Sequence, residues 1–233
     1  MPSQKSDIFE GINTTWSRVK GGKEIKVILE QVQEHYDFEN PSKSVPSLME
    51  AYKLITQLED PHWREFKTKQ IKEIIAACLG LYLEGVSAEP YSTVGEPLEV
   101  RLEAINRSPI DVNLKSVSIL PSEKEQSFQK DLSDNGSHKE KMTIQLDEDL
   151  GLTSPYWLDQ PWSLGMYNVT DWEMIGEPIT PRQLRIRFNL EIEGHSIAFE
   201  KDVVYKFNDP VRGEVYQPFE IVPEASSSIR SKV

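Results

Sequence analysis

Aromatic side chains concentrate in one stretch of this chain, SPYWLDQPWSLGMYNVTDWEMIG at residues 154–176. Three of the five tryptophans, Trp157, Trp162 and Trp172, fall there together with Tyr156 and Tyr167. The stretch has no helical or strand period, so it reads as a long loop. Rings on such a loop offer broad, rigid apolar faces with a polar tip, which can stack on sugar rings or anchor a partner surface. Asp159 and Asp171 are the hydroxyl acceptors of the same stretch if the ligand is a saccharide. A loop of this kind can also fold back and close the end of a core, and both outcomes are open at this level.

Other chemistry finds little footing. A catalytic zinc takes three protein ligands and keeps a position for water. The four histidines, at 35, 62, 138 and 195, are too scattered for any familiar zinc spacing. Asp147-Glu148-Asp149 has no histidine nearby and reads as a solvated loop. No Gly-x-Ser-x-Gly occurs, and Gly21-Gly22 is an isolated pair that reads as a helix breaker. Cys78 is the only cysteine, which excludes an intrachain disulfide, and it falls on an apolar helical stripe where a thiol packs as a small hydrophobe. His62 and His195 sit at a helix start and a turn, ordinary places for solvated histidine. Asn13, Asn106, Asn135 and Asn168 each begin an Asn-x-Ser/Thr triplet, that of Asn106 weakened by Pro109 behind it.

Charge narrows the partners. The 233 residues hold 26 Lys and Arg against 38 Asp and Glu, a net charge of −12 that repels a phosphate backbone. Nucleic acid is therefore not an expected partner. No run approaches 18 apolar residues, so no membrane insertion is expected, and residues 1–11 carry no export signal. Most of the excess acidity lies after residue 85.

The elements that must position the aromatic loop change character along the chain. Residues 1–85 carry apolar positions every three or four residues, which predicts three helices. Ile25, Ile28, Leu29, Val32 and Tyr36 mark the first, Leu48, Ala51, Tyr52, Ile55 and Leu58 the second. The third starts at Asp60-Pro61, an N-cap followed by a proline that has no N–H to lose, and runs to about residue 84. After Gly85 the period becomes two, and residues 87–97 read as the joint. Strands are expected at 98–104, 112–120, 141–146, 183–192, 197–207 and 215–222, with a tight Glu193-Gly194-His195 turn making a hairpin. The fold class expected is α+β: an N-terminal three-helix segment (1–85), an immunoglobulin-like antiparallel β-sandwich (86–223) and a disordered Ser-rich tail (224–233).

Several stretches carry a resemblance: DIFEGINTTWSRV at 7–19, IIAACLGLYLEG at 74–85, VGEPLEVRLEAINRS at 94–108, SPYWL at 154–158 and FNDPVRGEVYQPFEIVP at 207–223. Together they resemble the region that follows the catalytic domain of large bacterial PIG-L (LmbE-like) deacetylases, notably those of the Bacteroidetes. The resemblance implies a parent protein that removes N-acetyl groups from N-acetylglucosamine-type sugars with zinc held by an Ala-His-Pro-Asp-Asp motif and a later histidine. Neither motif element occurs here, so no catalytic or metal residue is carried over and no cofactor is expected in this chain. What the resemblance leaves is a noncatalytic accessory region, partnered by the deacetylase domain of the same polypeptide, exported, and able to contact glycan. An independent carbohydrate-binding module or a structural, adhesive sandwich is the alternative. Tyr156, Trp157, Asp159, Trp162, Tyr167, Asp171 and Trp172 are the candidate ligand or domain contacts.

Overall fold

Asp60 starts the longest helix as expected: its carboxylate accepts the Trp63 N–H at 3.1 Å, and Pro61 occupies the first turn. The computed structural model describes residues 8–132 and 134–227. Three helices, α1 (Gly22–Glu34), α2 (Val45–Thr56) and α3 (Pro61–Leu79), come first. They bury Ile25, Leu48, Met49, Ile55, Ile71, Ile75 and Cys78 against one another. Burial raises the pKa of the Cys78 thiol, which suits packing and not nucleophilic work.

Helix α3 ends five residues earlier than its apolar stripe suggests. Gly80 adopts φ +57°, and the bonds Leu81 N–H to Ala76 O (2.9 Å) and Gly80 N–H to Ala77 O (3.0 Å) close a left-handed helix cap. A Cβ at Gly80 would also stand 2.9 Å from Arg107 Cβ. Gly80→Ala is expected to cost about 1–2 kcal/mol through the left-handed backbone and this contact. Urea unfolding reads the cost, and an unchanged midpoint would contradict the capping role.

Residues after the cap form β1 (Tyr82–Ser87), so residues 82–85, expected as the end of the helical segment, lie in a strand. Gly85 is glycine for a spatial reason: a Cβ there would meet Ile186 Cδ1 at 2.0 Å. The other strands are β2 (Tyr91–Ser92), β3 (Pro97–Ile105), β4 (Val112–Leu120), β5 (Lys124–Leu132), β6 (Ser137–Gln145), β7 (Arg185–Ile192), β8 (His195–Asp202), β9 (Val204–Asp209), β10 (Gly213–Pro218) and β11 (Glu220–Ile221). They build a five-stranded sheet, β10-β9-β1-β3-β6, a four-stranded sheet, β5-β4-β7-β8, and a two-stranded pair, β11-β2. The expected hairpin is present: Ile192 pairs with His195 across Glu193-Gly194, both at positive φ.

Two expectations are corrected. The strands are not all antiparallel, because β9 runs parallel to β1 and β11 parallel to β2. Residues 197–207 are also not one strand. The chain leaves the four-stranded sheet at Asp202, turns at the buried Val203 and enters the five-stranded sheet as β9 beside β1.

The inward faces of β3, β4, β7 and β8 supply Val100, Leu102, Leu114, Val117, Ile186, Phe188, Leu190 and Ile197, and one buried cluster continues from these into the helices. The helical and β parts therefore share a core. Further ties are the Arg107 N–H to Leu79 O bond at 3.2 Å and Lys72 Nζ, 5.6 Å over the Phe199 ring. Of the expected tail, residues 224–227 are exposed and 228–233 lie outside the described residues.

At the α1–α2 connection, Asp37 accepts from Lys43 Nζ at 2.7 Å and from the N–H groups of Glu39 and Asn40. The Lys43 ammonium first, then these N–H groups, lower its pKa to about 2. A depressed carboxylate stabilises the fold above its ordinary value and loses that contribution as pH falls from about 4 toward 2. Lys43→Ala is expected to return the Asp37 titration toward the ordinary carboxylate range, read by NMR. An unmoved titration would remove Lys43 as the cause.

Candidate functional site

The connection between β6 and β7 carries the aromatic stretch, and both its feet are fastened. At one foot Thr153 and Ile221 exchange two bonds of 2.8 Å, from Thr153 N–H to Ile221 O and from Ile221 N–H to Thr153 Oγ1. At the other, Arg182 makes a two-pronged ion pair with Glu220, at 3.1 and 2.9 Å. The feet also meet each other: Gly151 N–H donates to Gln183 Oε1 at 3.1 Å and Tyr156 N–H to Thr180 Oγ1 at 2.9 Å. A two-pronged guanidinium–carboxylate pair fixes orientation as well as distance. The loop is thus held at its base by the short strand β11.

Between residues 151 and 183 no side chain is buried. The loop therefore does not cap the core, and its rings lie at the surface. Tyr156, Trp157, Tyr167 and Trp172, four of the seven candidate residues, come together around one open groove of about 610 Å³, completed by Asn168, Val169, Thr170 and Ile175. Tyr156 and Trp157 meet edge to face at 5.0 Å and form one wall. Trp172, 81% exposed, and Tyr167, 61% exposed, line the same groove.

The remaining candidates separate from the groove. Trp162 is 68% exposed and does not line it. It precedes a tight turn in which Ser163 and Met166 bond each other reciprocally at 3.1 Å. Asp171 accepts the Glu173 N–H at 3.0 Å and caps the short 3₁₀ turn that carries Trp172, so it positions a ring. Asp159 accepts from the Ser154 hydroxyl and lines a neighbouring cleft with Thr180, Arg182 and Gln183.

Thr180, Arg182 and Gln183 lay outside the sequence expectation. Their roles depend on distant partners, Arg182 on Glu220, Thr180 on Tyr156 and Gln183 on Gly151, which no local pattern announces. The Asn106 triplet is also settled: its side chain is fully buried, and its amide is bonded to Ser108, Ile110 and Leu132, leaving nothing for a glycan to join.

A second cavity, about 540 Å³, lies on the outer face of the five-stranded sheet among Glu84, Arg101, Glu103, Lys139, Lys141 and Lys206. Its charges largely answer one another. Lys206 bonds Glu84 at 3.0 Å and Glu214 at 3.3 Å, Lys139 meets Glu103 at 3.2 Å, and Lys141 meets Glu99 at 3.0 Å. Burial opposes the charge on Lys206, but the carboxylates of Glu84 and Glu214 outweigh it and raise the ammonium pKa. This face reads as an ion-pair lattice.

Among the described residues, no three His, Cys, Asp or Glu side chains stand together as metal ligands would. Among the same residues no helix is long and apolar enough to cross a membrane.

No family model and no curated protein matches this chain. Among solved structures it is similar to the sporulation control protein Spo0M of Bacillus subtilis, at 12% identity over 53% of this chain and 48% of that one, with a TM-score of 0.23. It is also similar to the alkylpurine DNA glycosylase AlkC of Pseudomonas fluorescens, solved with DNA containing an abasic site analog. There the identity is 10% over 75% of this chain and 50% of that one, with a TM-score of 0.23. The chain thus spans about half the length of each. At such scores the likeness establishes neither a shared fold nor a shared function.

Proposed function

We propose that this chain is a noncatalytic accessory module, an α+β unit whose β part is an immunoglobulin-like sandwich and whose aromatic loop is a contact surface for glycan. The observation that carries this is the full surface display of the loop: with nothing buried between residues 151 and 183, Tyr156, Trp157, Tyr167 and Trp172 hold an open groove on a fastened base. Ring faces with hydroxyl and amide groups between them suit a saccharide, which offers apolar ring faces edged by hydroxyls. In support of the sandwich, the close approach of Gly85 to Ile186 sets the five-stranded sheet against the four-stranded one.

The resemblance to the region after the catalytic domain of PIG-L deacetylases supplies the context. In that reading the parent protein is an exported zinc-dependent hydrolase of N-acetyl sugars, and this module buttresses it and helps present its substrate. The purified chain is expected to bind N-acetylglucosamine oligomers, read by calorimetry and by tryptophan fluorescence, and to release no acetate from them with or without added zinc. Stoichiometric zinc binding with deacetylation by this chain alone would overturn the noncatalytic reading. Absence of binding to any saccharide would overturn glycan contact.

A further inference from the structure

We infer that the aromatic groove is one end of an extended cleft, and that its ligand is a neutral oligosaccharide spanning several sugar residues. This rests on the glycan reading above and adds the length and charge of the ligand. Trp157 lines both the groove and an adjoining cleft of about 350 Å³ formed by Thr153, Ser154, Pro178, Ile179 and Thr180. That cleft shares Thr153, Ser154, Thr180 and Arg182 with a third, also about 350 Å³, which contains Asp159 and Gln183. The three are contiguous through shared walls. Their chemistry is graded, with ring faces at the Trp172 end and hydrogen-bonding groups at the Asp159 end.

The polar end keeps unspent capacity. The Thr180 hydroxyl accepts from Tyr156 N–H and retains its own proton to donate. Gln183 uses its carbonyl oxygen on Gly151, leaving its NH₂ group for a ligand acceptor. Asp159 accepts from Ser154 through one oxygen, and the other remains to take a sugar hydroxyl. Charge sets the second property. Among the described residues, Arg182 is the only cation lining the three clefts, and it is held in a two-pronged ion pair by Glu220. No lining cation is therefore left for a uronate or sulfate, and the Asp159 carboxylate repels one.

The test titrates the full chain with cello-oligosaccharides and chito-oligosaccharides from one to six residues, and with oligogalacturonates of matching length. For at least one neutral series, affinity is expected to rise tenfold or more from the monosaccharide to the tetrasaccharide, with the acidic series weaker. Asp159→Ala, at an exposed position outside the ring groove, is expected to lower tetrasaccharide affinity at least fivefold and leave disaccharide affinity unchanged. Equal affinity at all lengths, or preference for the acidic series, overturns the extended cleft while glycan contact at the rings stands. Binding of no saccharide of any length removes both.

Discussion

Trp157→Ala combined with Trp172→Ala is expected to abolish the proposed glycan binding while leaving thermal unfolding nearly unchanged. Both rings line the groove, and neither contributes to the buried core. Central aromatic anchors at binding surfaces commonly cost about 2 kcal/mol or more each when truncated, about thirtyfold in affinity. The double variant is therefore expected to weaken binding by two orders of magnitude or more. Trp162→Ala is the matched control: it removes an equally large exposed ring outside the groove and should leave affinity unchanged. Calorimetry of the three proteins decides the matter. An unaltered affinity in the double variant, or an equal loss in Trp162→Ala, would show that the groove is not where saccharide binds.

Asn106→Ala destabilises the whole chain more than any surface substitution should. Asn106 is fully buried, and its Nδ2 lies 3.1, 2.9 and 3.2 Å from the carbonyl oxygens of Ser108, Ile110 and Leu132. Its Oδ1 accepts the Ser108 N–H at 3.1 Å and the Ser108 hydroxyl at 2.7 Å. One side chain thus joins the end of β3, the approach to β4 and the end of β5. Next to it Arg107 N–H reaches Leu79 O, at the end of α3. Truncation leaves several buried polar groups without partners, at about 1–3 kcal/mol for each group that water cannot reach. A loss of about 3–5 kcal/mol is expected, which lowers the melting temperature by about 10 °C in a chain of this size. Asn106→Asp should be no better, since it places a second oxygen against three carbonyls. A loss below about 1 kcal/mol in urea unfolding would mean that water replaces the amide.

Where local chemistry was strong, sequence and structure agree closely. The Asp60-Pro61 start of α3, strand β4 at Val112–Leu120 and the Glu193-Gly194 hairpin each depend on neighbours a few residues apart. Strand β5 was not legible, because Lys124–Leu132 is an edge strand with one buried residue and shows no alternation of apolar side chains. Strand β1 was hidden for the opposite reason. Both of its faces are covered, so its apolar residues run on from the helical stripe of α3 without a visible change of period.

Sequence alone determined the inventory of the site: aromatic rings crowded into an aperiodic stretch, few histidines, one cysteine and an acidic balance. It also determined the order of helices before strands, since hydrophobic period is a property of consecutive residues. Only the tertiary structure decided that the rings face outward and that four of them share a groove. It alone showed Asp171 as a cap and Asp159 as part of a neighbouring cleft. Those outcomes rest on pairings that bridge long stretches of chain, Arg182 with Glu220 and Thr153 with Ile221, and on a core already filled by Ile186, Phe188 and their neighbours. A core packed by its own strands leaves no room for the loop to fold inward, and burial of this kind is fixed by the sum of distant contacts rather than by any local spacing.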